Sequence, residues 1–215
     1  MNRRSALRAL AVLSVVAAAP PARAAGSPLR EGIDFVRVGQ PLPQSQPGIE
    51  LIEFFSYGCP HCKEFEPAVS KWRSTLPKDV RFRRVPISFG NPKWQSLAKL
   101  YLAIDGTGDL AKMDGAVFSA VHDQKLPLAT DKDVIDWAVK HVADPKKFTG
   151  MYQSFGIQTM ARSAEQTGAD FGITGVPSFG VAGKYLVVAK EARTREELLA
   201  VVDKVIEMAR QGPAR

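Results

Sequence analysis

The chain has 215 residues, of which 45% are hydrophobic and 24% charged, a composition typical of a globular protein. Its formal net charge is +7, but four of its 29 basic residues lie among the first 24 positions, and without them 25 basic and 22 acidic residues remain, a net charge of +3. This weak excess, without a Lys/Arg cluster interleaved with aromatic residues, argues against a nucleic acid as a partner.

The first 24 residues have the pattern of a secretory signal peptide. Three arginines precede an apolar run over residues 9–19, and residues 22–24 form a small-x-small cleavage site that ends at Ala24. The run is far shorter than the roughly 20 apolar residues that span a bilayer, which disfavours an uncleaved membrane anchor. We therefore expect cleavage after about Ala24 and export to the periplasm, where a dithiol can stay oxidised. The sequence leaves open whether export is by the Sec or the twin-arginine route.

Hydrophobic periodicity and turn residues predict strands first, then helices, then strands again. The first elements expected are a strand at 33–38, a proline-rich loop at 39–48, a buried strand at 49–55, a helix at 60–76 kinked at Pro67, and a strand at 80–89. Five helices follow, predicted at 91–102, 110–122, 131–142, 144–155 and 157–171. A hairpin at 176–188 and a helix capped by Thr194 complete the chain.

The helical stretch interrupts what is otherwise a compact three-layer α/β unit. The sequence therefore predicts one α/β domain formed by residues 25–90 and 172–215, with an all-helical insertion at 91–171. The aromatic residues of the insertion recur at helical spacing, which is typical of a core rather than of a cofactor site, so no cofactor is expected.

Cys59 and Cys62 are the only cysteines, and they stand where the strand at 49–55 passes through a short turn into a helix. A disulfide between them closes so small a loop that it removes little entropy from the unfolded chain, so its use lies in being made and broken. Cys-x-x-Cys at such a junction is a redox signature. Because unpaired N–H groups at a helix start favour a thiolate, we expect Cys59 to attack and Cys62 to resolve.

His61 stands between the two cysteines, and a protonated imidazole there would stabilise a thiolate and so favour the reduced protein, which makes the protein an oxidant. The alternative is that His61 is a solvated loop residue. His122 and His141 are expected to be ordinary helix residues. Two cysteines and one adjacent histidine do not supply a tetrahedral ligand set, so no metal is expected.

Glu53 lies six residues before Cys59, inside an apolar strand. A lone carboxylate there is costly unless it has a partner or a task, so we expect Glu53 to relay protons to Cys62. The alternative is that strand alternation turns its side chain to solvent.

Pro177 opens the predicted hairpin after Gly175 and Val176. A proline in this position suits a cis peptide bond, and the backbone before it would be free to pair with an extended peptide. We therefore expect Gly175, Val176 and Pro177 to contact substrate.

The segment Glu-Phe-Phe-x-x-x-Cys-Pro-His-Cys at residues 53–62, with Gly-Val-Pro at 175–177, resembles the DsbA family of periplasmic thiol:disulfide oxidases. The resemblance extends from about residue 33 to residue 210 and implies a thioredoxin fold with an inserted helical domain. It also implies site roles: the nucleophile Cys59, the neighbouring Pro60, the thiolate stabiliser His61, the resolving Cys62, the buried acid Glu53 and the cis-proline loop Val176-Pro177.

The resemblance further implies that the partners are reduced exported proteins and a membrane quinone reductase of the DsbB type, which re-oxidises the family. The chain lacks a separate dimerisation domain, so a monomer is expected. Gly58 stands where bulkier residues often precede the first cysteine in this family, which leaves the shape of the groove and the substrate preference open. The alternative functions are a reductase or isomerase of the same fold, a non-catalytic module that holds secreted chains, and a metal carrier.

Overall fold

The computed structural model describes residues 28–44 and 46–212, so the predicted signal peptide at 1–24 lies outside the described residues. Five strands and seven helices are found in the described part of the chain. Their order is β1 (Phe35–Arg37), β2 (Ile49–Phe55), α1 (Pro60–Arg73), β3 (Val80–Pro86), α2 (Pro92–Thr107), α3 (Leu110–His122), α4 (Asp131–Ala138), α5 (Pro145–Tyr152), α6 (Phe155–Phe171), β4 (Ser178–Val181), β5 (Tyr185–Val187) and α7 (Arg195–Arg210).

The five strands form one mixed sheet in the order β1-β5-β4-β2-β3. The central strand β2 runs parallel to β3 and antiparallel to β4. The parallel register places Glu53 opposite Arg84, and the antiparallel register places Phe54 opposite Ser178. The last residues of β2 and the first of β4 therefore meet at the edge of the sheet where α1 begins.

Helices cover both faces of the sheet. On one face α1 and α7 pack in an apolar cluster that includes Leu51, Phe65 and Val202. On the other face α6 packs on β2 and β3 in a cluster that includes Phe54 and Phe171. Because both faces of β2 are covered, its sequence is a nearly continuous apolar run rather than an alternating one.

Helices α2–α5 enclose a third apolar cluster, which also contains the end of β2 and both cysteines. The helical section between β3 and β4 thus forms one wall around the Cys-x-x-Cys pair. Among the described residues, no helix is long and apolar enough to cross a membrane.

Local signals explain where most of the helices begin. The side chain of Asn91 accepts two backbone N–H groups at the start of α2, and Thr130 and Thr194 form capping boxes at α4 and α7. Asp144 caps α5 ahead of Pro145 at the first helical position. These caps confirm the helix starts that the sequence predicts.

Several predicted element bounds are wrong. Helix α4 ends at Ala138 rather than at residue 142, α2 continues to Thr107 rather than ending at residue 102, and α6 begins at Phe155 rather than at residue 157. Strand β3 ends at Pro86 rather than at residue 89, because Pro86 pairs with Phe55, the last residue of β2. Helix α1 ends at Arg73 rather than at residue 76, where the hydroxyls of the next residues bond its last carbonyl groups. Helix α5 ends at Tyr152, because Ser154 caps α6.

Candidate active site

Cys59 is the N-cap residue of α1, and Cys62 lies one turn into the helix. Both are free thiols, with exposed fractions of 5% and 1%, while Pro60 and His61 between them are exposed. Pro60 has no N–H, so the first free amide groups of the helix are those of His61 and Cys62. Cys59 is therefore the more accessible of the two cysteines.

The two thiols have opposite pKa shifts. The thiol of Cys62 and the backbone N–H groups of Cys62 and His61 donate hydrogen bonds to the sulfur of Cys59, and the charge of His61 adds to them. Together they outweigh burial and lower the pKa of Cys59 to about 6. The hydrogen bond to Cys59, followed by burial, raises the pKa of Cys62 far above its usual range. At neutral pH the reduced site therefore carries its negative charge on Cys59.

The reduced protein should form the Cys59 thiolate with a midpoint near pH 6, measured from ultraviolet thiolate absorbance and from the rate of alkylation by iodoacetamide. Because this pKa lies below the ordinary value of 9.0, the reduced fold gains stability as the pH rises from about 6 to 9 and loses it as the pH falls through 6. Cys59→Ser should lack the transition. A midpoint near that of free cysteine would contradict the expected stabilisation.

The loop before β4 lies beside Cys59. The Val176–Pro177 peptide bond is cis, as the sequence suggests, and the sulfur of Cys59 lies 3.3 Å from the carbonyl oxygen of Val176, to which the protonated thiol donates. Val176 and Pro177 are half-buried, and Gly175 is exposed. The fold thus brings together two segments that lie 117 residues apart in sequence.

A shallow cavity of about 200 Å³ joins the two halves of the predicted site. Its lining includes His61 and Phe65 of α1, Pro177, and the arginines Arg193 and Arg195 that precede and begin α7. Arg195 also pairs with Glu64 at its rim, at 2.8 Å. A polypeptide in contact with Pro177 would therefore also meet His61 and a mixed polar and apolar surface.

Glu53 is buried, with an exposed fraction of 1%, so the interpretation that its side chain turns to solvent is wrong. Its Oε2 lies 2.9 Å from Nε of Arg84, and Nη2 of Arg84 lies 3.2 Å from Oε2 of Glu66 on α1, both with the geometry of ion pairs rather than aligned hydrogen bonds. Nη1 of Arg84 donates to both carboxylate oxygens of Asp114 on α3, at 2.9 and 3.0 Å. The guanidinium carbon stands 3.8 Å above the ring of Phe55.

Three carboxyl groups thus face one buried guanidinium group. Burial raises the pKa of Glu66 to about 7 and also raises the pKa of Glu53, with Arg84 opposing both shifts. The charge of Glu53 in turn contributes to the raised pKa of Cys62. This cluster, which we call the Arg84 cluster (Glu53, Glu66, Arg84 and Asp114), can hold a proton near neutral pH. Glu66, Arg84 and Asp114 were not predicted as site residues, because only the strand register places Arg84 opposite Glu53.

Gly58, the residue before Cys59, packs against Trp94 at the start of α2. A Cβ atom at position 58 would lie 2.2 Å from Nε1 of the indole ring, so Trp94 fills the space that a side chain at this position would occupy. Another helix thus supplies bulk beside the residue that precedes Cys59.

Gly58→Ala should lower the free energy of unfolding by about 1–3 kcal/mol, because the rigid indole ring has to move. Chemical denaturation measures this loss, and a change in tryptophan emission reports the displacement of Trp94. Gly115→Ala, on α3, is the control. Its added methyl group would meet no atom within 4 Å, so the substitution should leave the free energy of unfolding unchanged or raise it. Equal stability and unchanged emission in the Gly58 variant would show that Trp94 does not determine the residue at this position.

The structure also corrects the interpretation of His122 as an ordinary helix residue. Nε2 of His122 lies 2.7 Å from the carbonyl oxygen of Tyr57, two residues before Cys59. His141, in contrast, is exposed and stacks on Trp137 away from the cysteines. Within residues 28–44 and 46–212, no group of three His, Cys, Asp or Glu side chains is arranged to hold a metal ion.

Comparisons with known proteins agree with this geometry. A family model described as a DSBA-like thioredoxin domain matches residues 50–200. The thiol:disulfide interchange protein DsbA of Pseudomonas aeruginosa is 37% identical over 180 residues, which cover 83% of this chain and 85% of that protein. The protein of the same name from Bordetella parapertussis is 33% identical over 207 residues, covering 95% of this chain and 96% of that protein.

Solved structures give the same result. The crystal structure of Pseudomonas aeruginosa DsbA superposes with a TM-score of 0.78 at 36% identity, covering 84% of this chain and 94% of that chain. The oxidoreductase NmDsbA1 from Neisseria meningitidis superposes with a TM-score of 0.74 at 29% identity, covering 85% of this chain and 95% of that chain. These matches confirm the predicted thioredoxin fold with its helical insertion, and the chain belongs to the DsbA family.

Proposed function

We propose that the protein is a periplasmic dithiol oxidase that donates a disulfide between Cys59 and Cys62 to newly exported proteins with free thiols. The observation that carries this proposal is the setting of Cys59. Its sulfur lies at the first turn of α1, its pKa is lowered to about 6, and it faces the carbonyl oxygen of Val176. A stabilised thiolate favours the reduced protein, so its disulfide tends to be passed on.

Disulfide donation takes two exchange steps. A client thiolate first attacks the sulfur of Cys59, which forms a mixed disulfide, breaks the Cys59–Cys62 bond and releases Cys62 as a thiolate that takes up a proton. A second client thiolate then attacks the client sulfur of the mixed disulfide, and Cys59 leaves as a thiolate. The client loses two electrons and the protein gains two. Because a thiolate with a low pKa leaves readily, the second step is favoured.

Glu53 is proposed to pass the proton to Cys62 in the first step. A group with this task must exchange protons near the working pH. The pKa of Glu66, raised to about 7, meets that condition, and burial shifts the pKa of the neighbouring Glu53 in the same direction. His61 is proposed to stabilise the Cys59 thiolate by its charge, and Pro60 to leave the amide groups of the next two residues facing the sulfur.

Residues Gly175, Val176 and Pro177 are proposed to hold the client chain as an added extended segment beside Cys59. Backbone pairing suits an oxidase with many clients, because it does not depend on the client's side chains. The cavity that His61 and Pro177 share would take one client side chain.

The remaining proposals concern the setting of the reaction. The signal peptide at 1–24 directs the chain to the periplasm. A membrane quinone reductase of the DsbB type re-oxidises the dithiol. The protein acts as a monomer, and nucleic acid is not among its partners. Residues 25–90 and 172–215 form the thioredoxin-like domain that carries the chemistry, and residues 91–171 form the helical domain that encloses it.

A stoichiometric transfer assay tests the function. The oxidised protein is mixed with a reduced, unfolded protein that contains an even number of cysteines, and client thiols and protein thiols are both titrated over time. The proposal predicts that two client thiols are lost for every two thiols that appear in the protein. Reduction of an oxidised client instead would support a reductase or isomerase, and client binding without thiol transfer would support a non-catalytic holding module.

A further inference from the structure

One face of α3 is directed at a single residue of the active-site loop. Asp114, Phe118 and His122 stand four residues apart and so share one side of the helix. Asp114 accepts the phenol hydrogen of Tyr57 at 2.5 Å, Phe118 packs edge-on against its ring at 4.8 Å, and His122 bonds its carbonyl oxygen at 2.7 Å. Tyr57 is therefore fixed at its hydroxyl group, its ring and its backbone.

The backbone contact has a defined polarity. A carbonyl oxygen only accepts hydrogen bonds, so Nε2 of His122 carries the hydrogen and donates it to Tyr57. The next residue of α3's C-terminal turn, Asp123, forms an ion pair with Lys63, the residue after Cys62. Helix α3 thus contacts the chain on both sides of the Cys-x-x-Cys segment.

The loop needs such support because of its own sequence. Gly58 joins Tyr57 to Cys59, and glycine restricts the backbone less than any other residue. The local hydrogen bonds of the turn, from the N–H of Gly58 to Oγ of Ser56 and from the N–H of Cys59 to the carbonyl oxygen of Ser56, are at 3.2 and 3.1 Å. An external donor on the Tyr57 carbonyl fixes the peptide plane that leads into Cys59.

We propose that His122 is a positioning residue for disulfide exchange, which orients the Tyr57–Gly58 peptide and thereby holds the Cys59 sulfur in line with the N–H groups of His61 and Cys62. This inference rests on the proposed role of Cys59 as the nucleophile. It assigns to the helical domain a direct part in setting the redox balance. Without the His122 bond the sulfur would move relative to those N–H groups, and the thiolate would lose part of its stabilisation.

The test compares variants that separate the ring of His122 from its donor. His122→Phe keeps a ring of similar shape without a donor, and His122→Gln keeps a donor near the position of Nε2. His141→Phe is the matched control, because the ring of His141 also bonds a backbone carbonyl, that of Trp137 at 2.8 Å, away from the active-site loop. The measurements are the thiolate titration, the equilibrium constant with glutathione at pH 7, and urea unfolding of the oxidised form.

His122→Phe should raise the thiolate midpoint by about half a pH unit to one unit, which lowers the equilibrium constant for reduction of the disulfide by glutathione at pH 7 about 2.5- to fivefold. His122→Gln and His141→Phe should both stay within about twofold of the wild type. If His122→Phe does not fold, His122→Leu supplies the second variant without a donor, with the same expectation.

Two results would overturn the inference alone. One is a wild-type midpoint and equilibrium constant in His122→Phe, even if that variant is less stable, because His122 would then serve only packing. The other is an equal shift in the Phe and Gln variants, because the ring rather than the donor would then matter. A wild-type midpoint near that of free cysteine would instead overturn the proposed role of Cys59 and this inference with it.

Discussion

Cys59→Ser should reduce the oxidation of a reduced, unfolded client to the rate of the uncatalysed control, because a serine hydroxyl forms no disulfide and no mixed disulfide. The loss should be complete at every pH, since no disulfide can form within the variant and Cys62 is buried with an exposed fraction of 1%. The rate of client oxidation is followed by the loss of client thiols.

Cys62→Ser is the matched variant, because it also lacks the internal disulfide but retains the reactive thiolate. It should oxidise no client either, yet it should form a mixed disulfide with glutathione that mass spectrometry detects, and Cys59→Ser should not. The opposite pattern, with a mixed disulfide at Cys62, would show that the roles of the two cysteines are reversed.

Arg84→Met should lower the free energy of unfolding of the oxidised protein by about 3–5 kcal/mol at pH 8. The substitution keeps much of the apolar bulk but leaves Glu53, Glu66 and Asp114 without the buried guanidinium group that they share. Urea denaturation at several pH values measures the effect. Use of the oxidised form excludes any contribution from the thiolate.

The loss should be smaller at pH 5 than at pH 8. Burial raises the pKa of Glu66 from its ordinary value of 4.5 to about 7 in the folded protein. Protonated Glu66 therefore contributes its full stabilisation below pH 4.5, and this contribution is lost as the pH rises through 7. Removal of Arg84, which opposes that shift, extends the penalty to higher pH.

Arg83→Met is the control for this prediction. Arg83 is the neighbouring residue, but it is exposed and forms a surface pair with Glu50 at 2.9 Å, so its loss should cost less than about 1 kcal/mol. Equal stability of the two variants, or an Arg84 variant that is no less stable than the wild type, would contradict the importance of the Arg84 cluster.

The sequence could predict the parts of this molecule that depend on neighbours along the chain. The apolar run at 49–55 predicts a strand covered on both faces, and Asn91, Thr130, Asp144 and Thr194 mark helix starts because a capping side chain bonds amide groups only two or three residues away. The helical stretch between the strands and the resemblance to the DsbA family were likewise visible in the residues alone.

The sequence could not predict the contacts that the fold brings together from distant segments. The sequence marks Glu53 as a costly residue, but the register between β2 and β3 decides that Arg84 is its partner. The third carboxyl group, Asp114, comes from a helix that starts more than fifty residues after Glu53. His122 resembles any half-buried histidine of an amphipathic helix until the end of α3 is placed beside Tyr57. The sequence gives no reason for the departure from the family pattern at Gly58, because the ring that occupies the space of a side chain there belongs to Trp94 on another helix.

The equilibrium between the Cys59–Cys62 pair and glutathione tests the central claim most directly. With the pKa of Cys59 at about 6, thiolate formation at pH 7 should make the couple about 30 mV more oxidising than that of an unperturbed pair in the same fold, because about one unit of the shift is populated at that pH. We predict a couple clearly more oxidising than the roughly −270 mV of thioredoxin, with an advantage that decreases as the pH falls from 7 to 6 and is nearly lost below about 5. A potential at or below that of thioredoxin would mean that the thiolate is not specially stabilised, and would contradict the assignment as an oxidase.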